Sequence, residues 1–164
     1  MIAGAGGFLA GTGLRLPTEA EWEYAYRADT TTAFHGFKGY LNGTSDDTLV
    51  GNIAWFLGNS GAHGTPDHGT KAVGQKLANG FGLHDMAGNV YEFVNDWYST
   101  SSDASSPSSD TSLNPTGPAT GTTRGVRGGC WGVDTDFVRS SYRYGITPDS
   151  ANLNNGFRVA RNPV

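Results

Sequence analysis

Apolar positions along this chain fall in short, scattered runs, and two stretches carry a clear period. Over Arg15 to Ala28 the spacing of Trp22, Ala25 and Tyr26, continued by Asp29, predicts an amphipathic helix with Trp22, Ala25 and Tyr26 toward the core. Thr18 reads as its N-cap and Glu21, three residues on, completes a capping box; Pro17 stands just before the cap. Glu19, Glu21 and Glu23 lie near the positive end of the helix dipole and Arg27 near the negative end, so the glutamates read as charge compensation rather than as catalytic groups. From Val90 to Val94 the side chains alternate, as in a strand: Tyr91 and Phe93 share one face, and Val90, Glu92 and Val94 the other. Weaker signals predict a buried segment at Gly51 to Phe56, ordered structure restarting at Arg124 to Trp131, a strand over Phe137 to Tyr144 and a closing strand over Asn155 to Arg161. The connections are polar and rich in glycine, notably Asp29 to Val50, Asn59 to Thr70, Gly132 to Asp136 and Gly145 to Asn155. Ser99 to Thr122 is almost wholly Ser, Thr, Pro, Gly and Asp and cannot bury a core, so it predicts a surface loop within one domain spanning 1–164.

Composition sharpens this picture. With 25 glycines and only 16% charged residues in 164, long helices and coiled coils are disfavoured, and a loop-rich fold with short strands is expected. A net charge of −4 argues against a general nucleic-acid binder, and no apolar run is long enough to span a bilayer. Met1 to Leu14 lacks the basic front of a signal peptide and reads as a first strand or as the edge of a longer protein. Cys130 is the single cysteine, which excludes an intrachain disulfide and chemistry needing a thiol pair. The four histidines, His35, His63, His68 and His84, show no zinc-binding spacing.

One carboxylate stands out. Glu92, between Val90 and Val94 on a half-buried face, needs a partner. The preceding loop offers oxygens from the Asp85 side chain and the Gly88 and Val90 carbonyls, a set suited to a hard cation such as calcium. The competing reading pairs Glu92 with an arginine and makes Asp85 a turn residue. Arg127, Arg139, Arg143 and Arg158 are open to anion binding, but bidentate pairing with Glu92, Asp96 and the helix carboxylates is favoured.

Three segments carry a family resemblance: Arg15-Leu-Pro-Thr-Glu-Ala-Glu-Trp-Glu-Tyr-Ala, Gly82-Leu-His-Asp-Met-Ala-Gly-Asn-Val-Tyr-Glu-Phe, and Arg127-Gly-Gly-Cys-Trp with Asn155-Gly-Phe-Arg158. Together, from about Gly13 to Arg161, they resemble the sulfatase-modifying-factor family, founded on formylglycine-generating enzymes. The resemblance implies an α+β, C-type-lectin-like variant fold. It also implies calcium at Asp85, Gly88, Val90 and Glu92, and a second calcium site beginning at Asn52-Ile53. The later ligands of that second site fall near Thr65 to Asp67, where the pattern does not align.

Catalysis is where the chain departs from the family. The family's oxidases hold copper through two cysteines after the Arg-Gly-Gly segment and convert a substrate cysteine to formylglycine. Val133 and Val138 occupy those two places, and valine cannot ligate a soft metal, so no copper is expected. Cys130 replaces a serine and cannot stand in for a pair. The chain is also similar to variable proteins of diversity-generating retroelements, which display a mutable surface on this fold through adenine-directed mutation of Asn codons. Gly132, Val133, Asp134, Asp136, Phe137, Tyr142, Tyr144, Gly145, Ile146 and Thr147 all belong to the reachable residue set. The expectation is therefore a non-catalytic module that binds a protein or other macromolecular ligand through Trp131 to Thr147. The alternative is a related oxidase with altered chemistry, or an enzyme's accessory subunit.

Overall fold

The helix forms where its caps require. In the computed structural model, which describes residues 13–40, 42–100 and 115–162, helix α1 spans Glu19–Arg27. The Thr18 side chain accepts the Glu21 N–H at 3.2 Å and the Glu21 carboxylate accepts the Thr18 N–H at 2.8 Å, closing the capping box. The helix stops at Ala28, whose φ of 45° is left-handed, and the following Asp29 is left-handed too. Trp22 and Tyr26 are fully buried, while Ala25 packs at the core margin.

The main sheet has four strands in the order β6-β5-β4-β7: β4 is Tyr91–Trp97, β5 Arg124–Arg127, β6 Tyr144–Ile146 and β7 Asn155–Phe157. Central β4 runs antiparallel to β5, with Glu92 opposite Arg127 and Phe93 opposite Val126, and parallel to β7. Two small ladders complete the frame. Strands β1 (Leu14–Arg15) and β8 (Ala160–Arg161) pair antiparallel, and β2 (Ala54–Trp55) and β3 (Ala87–Gly88) pair parallel.

Both faces of β4 are covered, as befits a central strand. Val94 joins Trp22, Tyr26, Phe34, Ile53, Met86 and Val138 in the larger core; Tyr91 and Phe93 join Val126 and Cys130 in the smaller one. Residues 101–114 of the Ser/Thr-rich loop, and 1–12 of the amino-terminal stretch, lie outside the described residues. No helix among the described residues is long and apolar enough to cross a membrane.

Two expected strands take other forms. Phe137 to Tyr144 is not one strand: a 3₁₀ turn over Thr135–Val138 is followed by irregular chain that reaches β6 at Tyr144. Its backbone groups find other partners, which removes the need for a ladder. Tyr26 donates its hydroxyl to the Val138 carbonyl at 2.8 Å, Ser140 N–H goes to the Ala33 carbonyl, and Arg127 takes the carbonyls of Ser140 and Tyr142. Asn155 to Arg161 divides into β7 and β8, which pair with different strands, while Arg158 between them turns its guanidinium to Glu92.

Candidate ligand-binding face

A buried charge lattice holds the segment after β5. Arg127, wholly inaccessible to solvent, donates to the carbonyls of Ser140 (2.6 Å) and Tyr142 (2.8 Å) and pairs with Glu23. Its Nη1 lies 3.4 Å from Glu19. Arg143 grips the same Glu19 in bidentate fashion, at 2.6 and 2.8 Å. Burial pushes the Arg127 pKa down, and the Glu23 and Glu19 charges oppose that shift. Pairing with helix carboxylates is therefore the arrangement for Arg127 and Arg143, and Arg139 pairs with Asp136 at 2.7 Å. Glu19 does more than offset the helix dipole, because it is the shared anchor of two arginines from distant chain.

The expected binding residues divide by exposure. Asp134, Asp136, Phe137, Tyr144 and Thr147 are exposed, and Trp131, Gly132 and Tyr142 are half-buried. The Phe137 and Tyr142 rings meet edge-on with centroids 5.0 Å apart, and Tyr144 lies 6.1 Å from Tyr91. Burial raises the phenol pKa values of Tyr91 and Tyr142, so both present neutral hydroxyls. A shallow cavity of about 330 Å³ is lined by Tyr98, Asp136, Arg139, Ser141, Tyr142 and Arg143. Tyr98, the residue after β4, is a wall that sequence reasoning did not find, since the β5–β6 pairing brings it beside Gly145.

Three members of the set serve the frame instead. Val133 packs against both cores and its carbonyl accepts the Leu57 N–H at 2.9 Å. Ile146 packs against the smaller core. A Cβ on Gly145 would lie 2.5 Å from the Tyr98 ring, so no side chain fits there without movement. Gly132 differs, with nothing within 4 Å of an added Cβ.

The residues expected to hold calcium are placed as follows. Both Glu92 oxygens accept hydrogen bonds: Oε2 from Trp22 Nε1 at 2.6 Å and Arg158 Nε at 2.6 Å, and Oε1 from Arg158 Nη2 at 2.7 Å. Arg158 also reaches the His84 carbonyl at 3.1 Å. The Asp85 carboxylate accepts the Gly74 N–H at 2.6 Å, Gly88 N–H donates to Gly128, and Val90 is half-buried. The donors are of the right type for calcium, but an ion at Glu92 must share or displace Arg158. Among the described residues no three or more His, Cys, Asp or Glu side chains gather into a metal cluster.

At the two expected copper positions, Val133 packs in the core margin and Val138 is fully buried. Cys130 is buried, which pushes its thiol pKa up, away from the thiolate form. Asp96 is a buried carboxyl: Oδ2 accepts the Glu19 N–H at 2.8 Å, Oδ1 has no partner, and burial raises its pKa to about 7.

A loop-rich α+β domain, few in helices and short in its strands, with this lattice beneath irregular carboxy-terminal chain, is of the C-type-lectin-like kind adopted by sulfatase-modifying factors. The chain belongs to that family: the sulfatase-modifying factor enzyme 1-like domain matches residues 3–163. It is 37% identical over 158 residues to the formylglycine-generating enzyme of Thermomonospora curvata, covering 93% of this chain and 50% of that protein. It is 38% identical over 158 residues to the serine/threonine-protein kinase pkn1 of Chlamydia caviae, covering 96% of this chain and 22% of that protein. Among solved structures it superposes on Treponema denticola variable protein 1 with a TM-score of 0.78 and 34% identity, covering 94% of this chain and 50% of that one. The chain thus spans half or less of the length of these relatives.

Proposed function

We propose that this domain is a non-catalytic ligand-binding module, a diversified variable protein whose face is formed by Trp131, Gly132, Asp134, Asp136, Phe137, Tyr142, Tyr144 and Thr147. The observation that carries the reading is a division of labour within one short segment. Arg127 and Arg143 tie its backbone to α1, while neighbouring Phe137 and Tyr144 present exposed aromatic surface, and Tyr142, which rests on the smaller core by one side, meets the Phe137 ring edge-on. Aromatic side chains on a fixed frame give large contact area for few rotatable bonds, which suits a protein or other macromolecular ligand. The similarity to Treponema denticola variable protein 1 supports the same reading. Calcium at Asp85, Gly88, Val90 and Glu92 belongs to the proposal as a structural ion sharing Glu92 with Arg158.

The test is an array of immobilised proteins and glycans probed with the wild-type chain and with Phe137→Ala, Tyr142→Ala and Tyr144→Ala. Signals lost in the variants while the melting temperature holds support the module. Signals kept by all three variants overturn it. The alternative, a family oxidase with altered chemistry or an enzyme's accessory subunit, draws on the identity to formylglycine-generating enzymes. Oxidation of a cysteine peptide with bound copper or iron would establish its oxidase form.

A further inference from the structure

Lys71 makes an unusual set of bonds. Its ammonium donates to the main-chain carbonyls of Ser60 at 2.9 Å, Gly69 at 3.0 Å and Asp67. An ammonium has three N–H bonds, and all of them are spent here on backbone oxygens. The base of the side chain is equally fixed, for Lys71 N–H donates to Asn89 Oδ1 at 2.9 Å and Asn89 Nδ2 donates back to the Lys71 carbonyl at 3.1 Å. The loop closes tightly around this point. Gly69 N–H returns to the Ser60 carbonyl, His68 N–H to Thr65 and Thr65 N–H to Ala62. Gly61, at φ 94°, passes so near the far wall that a Cβ would lie 2.4 Å from the Asp67 carbonyl.

A ring of backbone carbonyls is the donor set that proteins offer to hard cations. The second calcium site implied by the resemblance would draw on this region, and the residues here do not fit that ion. Asn52 donates its amide to the Leu49 carbonyl, Lys71 holds the Asp67 carbonyl, and Lys76 donates to the Gly51 carbonyl at 2.6 Å. Both ammoniums lie over Trp55, at 3.8 Å for Lys76 and 5.8 Å for Lys71. Two fixed positive charges at one indole repel a divalent cation.

We propose that the Lys71 ammonium is the resident cation of this loop, in place of a metal ion, and that through the loop it positions Trp131. The connection is direct. The Ser60 hydroxyl lies 2.6 Å from the Trp131 carbonyl, Trp131 N–H donates to the Asn89 carbonyl at 2.9 Å, and the His68 ring stands edge-on to the indole at 4.7 Å. Without the ammonium, the carbonyls of Asp67 and Gly69 lose their shared donor and the Ser60 carbonyl keeps only the Gly69 N–H, so the three carbonyl dipoles face one another without the charge that draws them together. Lys71 is a positioning residue, and the inference holds whether or not Trp131 touches a ligand.

Chemical rescue of the whole chain tests this, with Lys71→Ala and Lys71→Met compared in calcium-free buffer. Amide exchange at residues 60–69 and the Trp131 indole resonance are followed. Lys71→Ala is expected to lower protection in the loop at least about tenfold and to move the indole signal. Ammonium chloride restores both, whereas sodium chloride and tetramethylammonium chloride at equal ionic strength do not. Lys71→Met is not rescued, because its side chain fills the space, and the wild type does not respond. An unchanged loop in Lys71→Ala, a change that ammonium fails to restore, or restoration by calcium overturns the proposal. Should the variants not fold, the wild-type spectrum decides. A lysine ammonium resonance protected from exchange is expected, and its absence, or calcium-dependent shifts at 60–69 that persist in Glu92→Gln, overturns the proposal.

Discussion

Replacing Glu19 by alanine removes the one carboxylate that serves two arginines of the carboxy-terminal segment. Glu19 is 1% exposed and Arg127 is wholly buried, so the Arg127 guanidinium cannot turn to water in compensation, while Arg143 is half-buried. Arg143 loses both of its bonds to Glu19, and Arg127 loses one of two ion-pair partners. Breaking a buried pair by removing one partner costs about 3–5 kcal/mol. At about 2–4 °C per kcal/mol for a domain of this size, the melting temperature should fall by roughly 6–20 °C. Glu19→Gln keeps the shape and one acceptor, and should cost less, about 1–3 kcal/mol. Asp136→Ala is the control, because Asp136 is 74% exposed in its pair with Arg139 and its loss should cost about 0–1 kcal/mol. Chemical denaturation of the three variants, read by tryptophan fluorescence, gives these values. A Glu19→Ala loss under about 1 kcal/mol would refute the claim that the lattice holds the proposed binding segment.

Three further outcomes follow from the same geometry. Gly145→Ala should destabilise by about 1–3 kcal/mol through overpacking against Tyr98, whereas Gly132→Ala should leave the melting temperature unchanged. Asp96, raised from 3.8 to about 7, contributes stability that is complete below its unfolded pKa and is lost as pH rises through the folded value. Asp96→Asn should therefore gain on the wild type between pH 4 and 7, by up to about 1.4 kcal/mol per unit; parallel pH profiles would show that the carboxyl is not buried in solution. Calcium at a hundred times its Kd should add about 2.7 kcal/mol, an effect absent in Glu92→Gln; no effect of chelation on the wild type would leave Arg158 as the counter-ion of Glu92.

The local rules of the sequence carried α1 and β4 well, because caps and alternation act over a few residues. Thr18 and Glu21 close the box expected of them, and Tyr91, Phe93 and Val94 face two cores as the alternation requires. Phe137 to Tyr144 misled for the opposite reason: its alternation is real, but Arg127 and Tyr26, distant in sequence, satisfy its carbonyls. Pairing of the arginines with acids was legible in residue type, yet which acid met which arginine was not. Glu19, Glu23, Arg127 and Arg143 come from three separate chain segments, and only the packing of α1 on the sheet joins them. The binding set shows the same limit. Residue type grouped Val133, Gly145 and Ile146 with Phe137 and Tyr144, and burial then separated frame from surface. No sequence signal pointed to Tyr98 or to the carbonyl ring at Lys71, since both depend on chain closure.

The central claim is a diversified face on an invariant frame, and sequencing the coding DNA for residues 1–164 across the source population tests it most directly. Adenine-directed changes should gather at codons 132, 134, 136, 137, 142, 144 and 147, with Glu19, Arg127, Val138, Arg143 and Gly145 constant. Uniform codons across the population, or changes spread evenly over frame and face, would contradict the account.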